Sequence, residues 1–443
     1  VQPLLHAASA VTVPYLAWRA AIVLGSPGPT SVLVLVAEVL AASVFAARAW
    51  AAGPAPAVPL RVEGVPEPDV VAVVDARGGD DELLRTTLLA LRRVEGLASI
   101  RVAGLATTDV RCRATADRLG AAVVDTPPDH VDPLAAALSA APSVWVLLVR
   151  VGELPTPDAV AVAAPMCAAP DIGVVQLGLE EADPTTFEKD VDGRWTLTPF
   201  EQEVVRPSLA GRGSLPWYGD GPVLVRRAAL HQVAEDPIGH PWSTGVALLA
   251  AGQRIAFVPE TLARIPAPDG FGAALTRHRG HVAPGLRSAA GGALRGLGRH
   301  DRLTHLLAVV PVLGAVQRLL MVVVAALVLI GGREPMPVPG VALVLLAVVS
   351  YAGRWSGHLL LGRGRLRRLS LMRSELRSFG VDLTPFVRWT PVGARRVGFW
   401  SLVAVIAVLD LAMVTAAVDG WRGTSDLPAG TMAGALVLTA VYA

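Results

Sequence analysis

The chain has 443 residues, of which 53% are hydrophobic, and a formal net charge of only +2; its mean hydropathy is +0.51. This composition excludes a disordered chain and a small disulfide-built scaffold, and points to several apolar spans beside a sizeable soluble part. Lys189 is the sole lysine, so the positive charge is arginine. That is the signature of a GC-rich coding bias, and no aromatic–basic motif argues for nucleic acid.

Residues 4–24 and 30–47 read as two apolar spans joined by Gly25-Ser-Pro-Gly-Pro29, with Arg19 and Glu38 as ionisable groups at membrane depth. Mutual pairing of these two is one reading and a functional role the other. A second span follows the first at once with no small-residue cleavage site, so the N-terminus is expected to be an anchor, not a cleaved signal. Residues 51–69 form a linker opened by the Pro/Ala-rich AAGPAPAVP.

Beyond it strands and helices alternate. Strands are predicted at 70–74, 100–103, 121–124, 144–149 and 173–179, and helices at 80–93, 110–119 and 133–140. Asp80 is placed to cap the first of these helices, with Asp81 and Glu82 in its first turn. Such alternation predicts an α/β domain over 70–286, a doubly wound parallel sheet that binds ligands at the carboxyl ends of its strands. Cys112 and Cys167 lack any CxxC spacing and read as reduced, buried thiols on a cytosolic face.

Residues 287–304 are Gly-rich and basic, suited to lying on an anionic leaflet. Two further spans are predicted within 305–361, a basic amphipathic segment over 362–396, and two last spans within 397–443, where the chain stops inside an apolar run and is expected to continue. The loops near Arg48, 287–302 and 363–396 carry the arginines, whereas 25–29, 331–339 and 419–430 are nearly uncharged. Arginine bias therefore puts the N-terminus, the sheet domain and the basic segments in the cytoplasm of a six-span protein of the plasma (inner) membrane.

Three stretches carry a resemblance: VLVRRAAL at 223–230, ALLAAGQRIAFVPE at 247–260 and WTPVG at 389–393. With the span layout, they make the chain resemble membrane-embedded family-2 glycosyltransferases of the cellulose-synthase-like branch. The resemblance implies a GT-A-like domain between transmembrane helices and a UDP-sugar substrate in cell-envelope polysaccharide or glycolipid assembly. It also implies Mg²⁺ or Mn²⁺ held by an Asp-x-Asp motif. Here the matching motifs have departed together. Asp-x-Asp falls on Arg150-Val151-Gly152, and the opening motif on Asp75-Ala76-Arg77-Gly78-Gly79. The uridine motif falls on 104–109, which keeps only its tail, ending in Asp109. The general-base motif falls on Gly239-His240-Pro241, and the acceptor-binding motif on His278-Arg279-Gly280-His281-Val282.

Three readings stand open. The first is a catalytically degenerate scaffold or regulatory subunit without a metal cofactor, its partners being membrane lipid and a protein partner or second copy in an envelope glycan complex. The second is an active, metal-independent transferase. In it Arg150 would neutralise the diphosphate, His240 would serve as base, and His278, Arg279 and His281 would act on the leaving group, with His240 and His281 as the catalytic candidates. In this scheme Asp75, Asp109 and Glu153 complete the nucleotide-sugar cleft. Trp217, Tyr218 and Asp220 lie where the family binds its acceptor, with core packing of Trp217 as the alternative. The third reading is a channel-like protein, suggested by Gln317, Arg318 and Asp410 within spans.

Overall fold

The computed structural model describes residues 2–25, 27–51, 68–78, 80–125, 132–182, 206–219, 221–231, 241–266, 285–289 and 292–313, with isolated positions as far as 327. Two helices open the chain, α1 (Gln2–Gly25) and α2 (Pro29–Ala51). The Gly28 carbonyl accepts the first helical bond of α2 from Val32 N–H, and Pro29 sits at the first helical position, where a missing N–H costs nothing. Within the hairpin, Arg19 reaches Glu38 with Nε at 3.0 Å and a terminal nitrogen at 3.1 Å, and Tyr15 Oη donates to the same carboxylate at 2.6 Å. The pairing reading of Arg19 and Glu38 is thereby met.

Among the described residues one helical segment, Pro29–Ala47, is long and apolar enough to cross a bilayer; Ala10–Gly25 is apolar but shorter. Six spans are therefore not supported. The spans expected at 338–361, 397–418 and 431–443 lie outside the described residues, as do most of 312–330 and the basic segment at 362–396.

The sheet domain follows the predicted order closely. Its elements are β1 (Val70–Asp75), α3 (Asp81–Leu91), β2 (Leu97–Ala103), α4 (Val110–Arg118), β3 (Ala122–Val124), α5 (Pro133–Ser139), β4 (Trp145–Arg150), β5 (Leu154–Pro155), α6 (Ala159–Cys167) and β6 (Ile172–Ala182). Then come α7 (Arg206–Gly211), β7 (Val223–Arg226), α8 (Arg227–His231), α9 (Pro241–Ala250), β8 (Arg254–Pro266) and, after a short helix over 285–289, α10 (Arg299–Val309). Asp80 caps α3 as its position predicts, its Oδ1 accepting from Leu83 N–H at 2.7 Å.

The eight strands form one sheet in the order β3-β2-β1-β4-β7-β6-β8-β5. Here the expectation of a doubly wound parallel sheet needs correction. β1, β2, β3 and β4 are parallel, but β7 runs antiparallel to both β4 and β6, and β5 antiparallel to β8. A parallel neighbour requires a crossover that returns the chain to the opposite edge of the sheet. β6 ends at the carboxyl edge, Gln176 binds the Gly219 N–H and the Pro222 carbonyl, and β7 starts from that edge and must run back down.

Alternation along β1 assigns the two faces. Val70, Ala72 and Val74 pack with Leu84, Leu88, Leu147 and Val160, whereas Val71 and Val73 pack with Leu134, Leu148, Trp217 and Phe257. Both faces are covered by other elements, which is why β1 and β4 are apolar runs and not alternating patterns. The domain meets the helical hairpin where the Arg212 guanidinium lies 4.3 Å above the Trp50 ring at the end of α2.

Both cysteines are free thiols, Cys112 half-buried and Cys167 buried. Burial pushes the Cys167 thiol up to about 12 and also raises Cys112. An alkylating reagent at pH 8 is expected to modify Cys112 slowly and Cys167 only after unfolding, read by mass spectrometry. The sign of the linkage follows. Above about pH 9 the unfolded chain releases the Cys167 proton that the folded chain keeps, so this thiol lowers stability as pH rises further.

Candidate functional site

In the strand order the chain leaves β1 on one side through β2 and β3, then crosses to β4 on the other. The switch point lies between β1 and β4, and the crevice beyond their carboxyl ends is where an open α/β sheet receives ligands. Asp75 ends β1 and Arg150 ends β4, and the two are direct partners in the parallel register. The ladder carries on past them, with Val151 N–H donating to the Asp75 carbonyl at 3.3 Å and Ala76 N–H to the Ala103 carbonyl at 2.9 Å. Both residues stand on the face that packs α5. Three segments far apart in sequence, 75–77, 103–104 and 150–153, thus come to one edge.

Asp75 is buried, 8% exposed, and its carboxylate is engaged. Arg77 donates to Oδ1 from Nε at 2.9 Å and to Oδ2 from a terminal nitrogen at 2.8 Å, and its own backbone N–H adds a bond to Oδ1 at 3.2 Å. This is the fork-to-fork geometry in which a guanidinium binds a carboxylate most strongly. The other terminal nitrogen of Arg77 reaches Asp132 Oδ1 at 3.4 Å. Asp132 also caps α5 through Leu134 N–H at 3.1 Å, and its buried Oδ2 has no hydrogen-bond partner. At the end of β2, Gly104 has φ +83°, and a Cβ there would press on Arg77 Cγ at 2.7 Å. Glycine is therefore needed twice over, for the left-handed backbone and for the Arg77 side chain lying across it.

After β4 the chain turns tightly. Glu153 N–H donates to the Arg150 carbonyl at 3.1 Å, while Glu153 Oε2 accepts the Arg150 N–H at 2.8 Å. The Glu153 side chain is bent back onto the strand end and is 5% exposed. Gly152 has φ +92° and donates its N–H to Thr87 Oγ1 of α3 at 2.8 Å, and a Cβ would meet Pro266 of β8. These contacts fix the turn that the resemblance implies should carry the metal carboxylates.

The remaining candidates divide. Asp109 begins α4, where its Oδ2 accepts Ala106 N–H at 2.9 Å and closes the local turn. Trp217 and Tyr218 are buried at 4% and 0% exposure. Trp217 stacks on Trp242 with centroids 4.7 Å apart, and the Arg206 guanidinium lies 5.7 Å from its centre. Trp242 in turn meets His305 edge-on at 5.2 Å. The core-packing alternative describes Trp217 in this structure, and its ring has no face open to a sugar. Asp220, His240, His278, Arg279 and His281 lie outside the described residues, as do Arg318 and Asp410. The sequence reading misses Arg77 as the partner of Asp75 and its link to Asp132. The available signal was an arginine two residues beyond an acidic strand end.

Among the described residues no group of three or more His, Cys, Asp or Glu side chains is placed to hold a metal ion. Arg150, Val151 and Gly152 supply no oxygen donor from their side chains, and the nearby Glu153 carboxylate is bonded to the Arg150 N–H. Hard divalent cations require several oxygen ligands and are repelled by a guanidinium. These residues do not fit Mg²⁺ or Mn²⁺.

A scan against protein-family models finds no match, nor does a search of curated proteins. Solved structures do match. A mannosyltransferase from Pyrobaculum calidifontis, solved with GDP-Man and Mn²⁺, is 16% identical over 75% of this chain and 98% of that one, with a TM-score of 0.51. The glucosyl-3-phosphoglycerate synthase of Mycobacterium tuberculosis is 16% identical over 51% of this chain and 74% of that one, at a TM-score of 0.30. S. aureus TarS is 11% identical over 68% and 93%, at 0.31. The last two likenesses are too weak to argue from. The first shows the fold: the sheet domain is of the GT-A glycosyltransferase type.

Proposed function

We propose that this chain is a catalytically silent, glycosyltransferase-like protein of the cellulose-synthase-like branch. It serves as a scaffold or regulatory subunit in cell-envelope polysaccharide or glycolipid assembly. It is anchored in the plasma membrane by several helices, with its GT-A-type domain and N-terminus in the cytoplasm, and works beside a protein partner or a second copy of itself. The observation that carries the reading is the end of β4. A guanidinium, an isopropyl group and a glycine occupy the Asp-x-Asp positions, the first and last of which carry carboxylates in a metal-dependent transferase, and the adjoining Glu153 is folded back on Arg150. Fold likeness alone does not carry an activity, and the site chemistry argues against one.

A second reading has one observation in its favour. Arg150 stands at the topological switch point, where a guanidinium can neutralise a diphosphate without a metal. One experiment separates the two. The purified full chain in mild detergent is mixed with UDP-sugars, with Mn²⁺ or with EDTA, and binding and sugar turnover are recorded. Turnover is expected to be absent in both conditions, with no Mn²⁺-dependent binding. Turnover that persists in EDTA and disappears in Arg150→Ala would establish the metal-independent enzyme instead.

A further inference from the structure

We propose that Arg77 is a built-in plug that keeps the crevice at the carboxyl edge of β1 and β2 closed, and that the nucleoside end of a nucleotide enters only when this side chain leaves. The inference rests on the reading of this edge as a glycosyltransferase-type nucleotide crevice, and adds how that crevice is held shut.

Arg77 bridges Asp75, at the end of β1, to Asp132, at the start of α5. In doing so it ties together the two elements between which a ligand would slide. Its stem lies against Gly104 at the end of β2, so close that a single added methyl group would collide with it. One side chain thus spans β1, β2 and α5. The guanidinium is only partly covered, with 38% of the Arg77 side chain exposed against 10% for Asp75 and 17% for Asp132. It therefore sits at the mouth of the crevice with its carboxylate partners beneath it, the arrangement of a cover and not of a core ion pair.

The chemistry of what lies under the cover names the ligand. Ionised carboxylates only accept hydrogen bonds, so Asp75 and Asp132, once released, would suit the O–H donors of a ribose and the N–H donors of a base. The buried Asp132 Oδ2 already has no donor. Arg150, beside Asp75 in register, is placed to face the phosphates. Arg77 satisfies those same acceptors while it is in place, and so competes with the ligand in both space and hydrogen bonding.

The test uses the full chain in detergent, with UDP and GDP as probes in EDTA. Wild type, Arg77→Ala and Asp132→Asn are compared. Asp132→Asn keeps a side-chain oxygen for the α5 cap but removes one of the two charges that hold Arg77, which guards against an unfolded Arg77→Ala. Arg77→Ala is expected to bind one of the nucleotides about tenfold or more tighter than wild type, and Asp132→Asn to bind with a smaller gain. Methylguanidinium, which can refill the vacated fork, should suppress the gain in Arg77→Ala and raise its melting temperature without affecting wild type. If methylguanidinium stabilises Arg77→Ala but no nucleotide binds better than to wild type, Arg77 is a packing element and the plug is overturned. A gain that methylguanidinium leaves untouched overturns it too, because the opened space would then not be the guanidinium's. Sugar turnover by wild type would sink the silent-subunit reading without touching these comparisons.

Discussion

Replacing Glu38 by alanine is expected to destabilise the α1–α2 hairpin by about 3–5 kcal/mol, the cost of removing one partner from a buried ion pair. Glu38 and Arg19 are 3% and 13% exposed in their side chains. The carboxylate accepts from Arg19 Nε, from an Arg19 terminal nitrogen and from the Tyr15 hydroxyl. Its loss leaves a guanidinium in an apolar hairpin with these bonds gone, a state that hydrocarbon surroundings tolerate poorly. Two comparisons sharpen the expectation. Glu38→Gln keeps an acceptor for Tyr15 but loses the charge, and falls between wild type and Glu38→Ala. The pair Arg19→Met with Glu38→Leu removes both charges and recovers most of the loss, leaving the Tyr15 hydroxyl without this acceptor at about 1–3 kcal/mol. Thermal unfolding of the full chain in mild detergent reads all three. Equal melting temperatures for wild type and Glu38→Ala would mean that the pair is solvated.

The same hairpin illustrates what a sequence discloses readily. Arg19 and Glu38 stand out because charge is rare in apolar spans, and each has few candidates to pair with. The sheet domain is legible for a related reason. β1 and β4 are uninterrupted apolar runs because both of their faces are packed, and their neighbours α3 and α5 announce themselves by Asp80 and Asp132 at the caps. Strand direction is another matter. Nothing in Val223–Arg226 distinguishes a parallel from an antiparallel strand, since the difference lies in which edge the chain occupies when the strand begins. The two-residue β5 is equally silent, because its pairing with β8 depends on residues more than a hundred positions away.

At the candidate site, legibility follows the backbone and fails at side-chain reach. Asp75 and Arg150 could be placed at one edge because each ends a strand of the same apolar pattern, and the register makes them partners. Arg77 could not be placed. Its importance lies in where a long, flexible side chain lands, and that is decided by Asp132, 55 residues on, and by the space left at Gly104. Trp217 is open to two readings, acceptor stacking and core packing, and the choice is made from afar: Trp242 from a later helix stacks upon it and Leu215 and Phe257 share its core. Aromatic residues near a cleft carry no label saying which face of the sheet they will enter.

Arg226 yields the second large effect, and it separates family likeness from function. The VLVRRAAL stretch helped to mark the resemblance, and a paired arginine invites a phosphate-binding role, yet Arg226 pairs with Trp145 at the start of β4, the edge of the sheet opposite Arg150. The structure gives both arginines other work. Arg226 donates to the carbonyls of Ile172 at 3.0 Å, Cys167 at 3.3 Å and Ala169 at 2.6 Å, and its guanidinium lies 4.9 Å above the Trp145 ring. Two of those carbonyls lie at and just beyond the C-terminus of α6, where the helix dipole favours a cation. Arg227 binds the Ala141 carbonyl just past the end of α5 in the same manner. The arginines are staples that pin two helix ends to β7. Arg226→Ala is expected to cost about 3 kcal/mol, since partly buried carbonyls lose a charged donor and an aromatic contact goes with it. Arg226→Lys recovers only part of this, because an ammonium lacks the planar fork that spans three acceptors. The measurement is the urea midpoint at unchanged slope, with nucleotide binding recorded on the same samples. A lowered midpoint with binding unaltered fits the staple, whereas an unaltered midpoint would overturn it. The arginines of the stretch that marks the resemblance are, on this account, residues that hold the fold together, so the resemblance they carry is one of fold and not of chemistry.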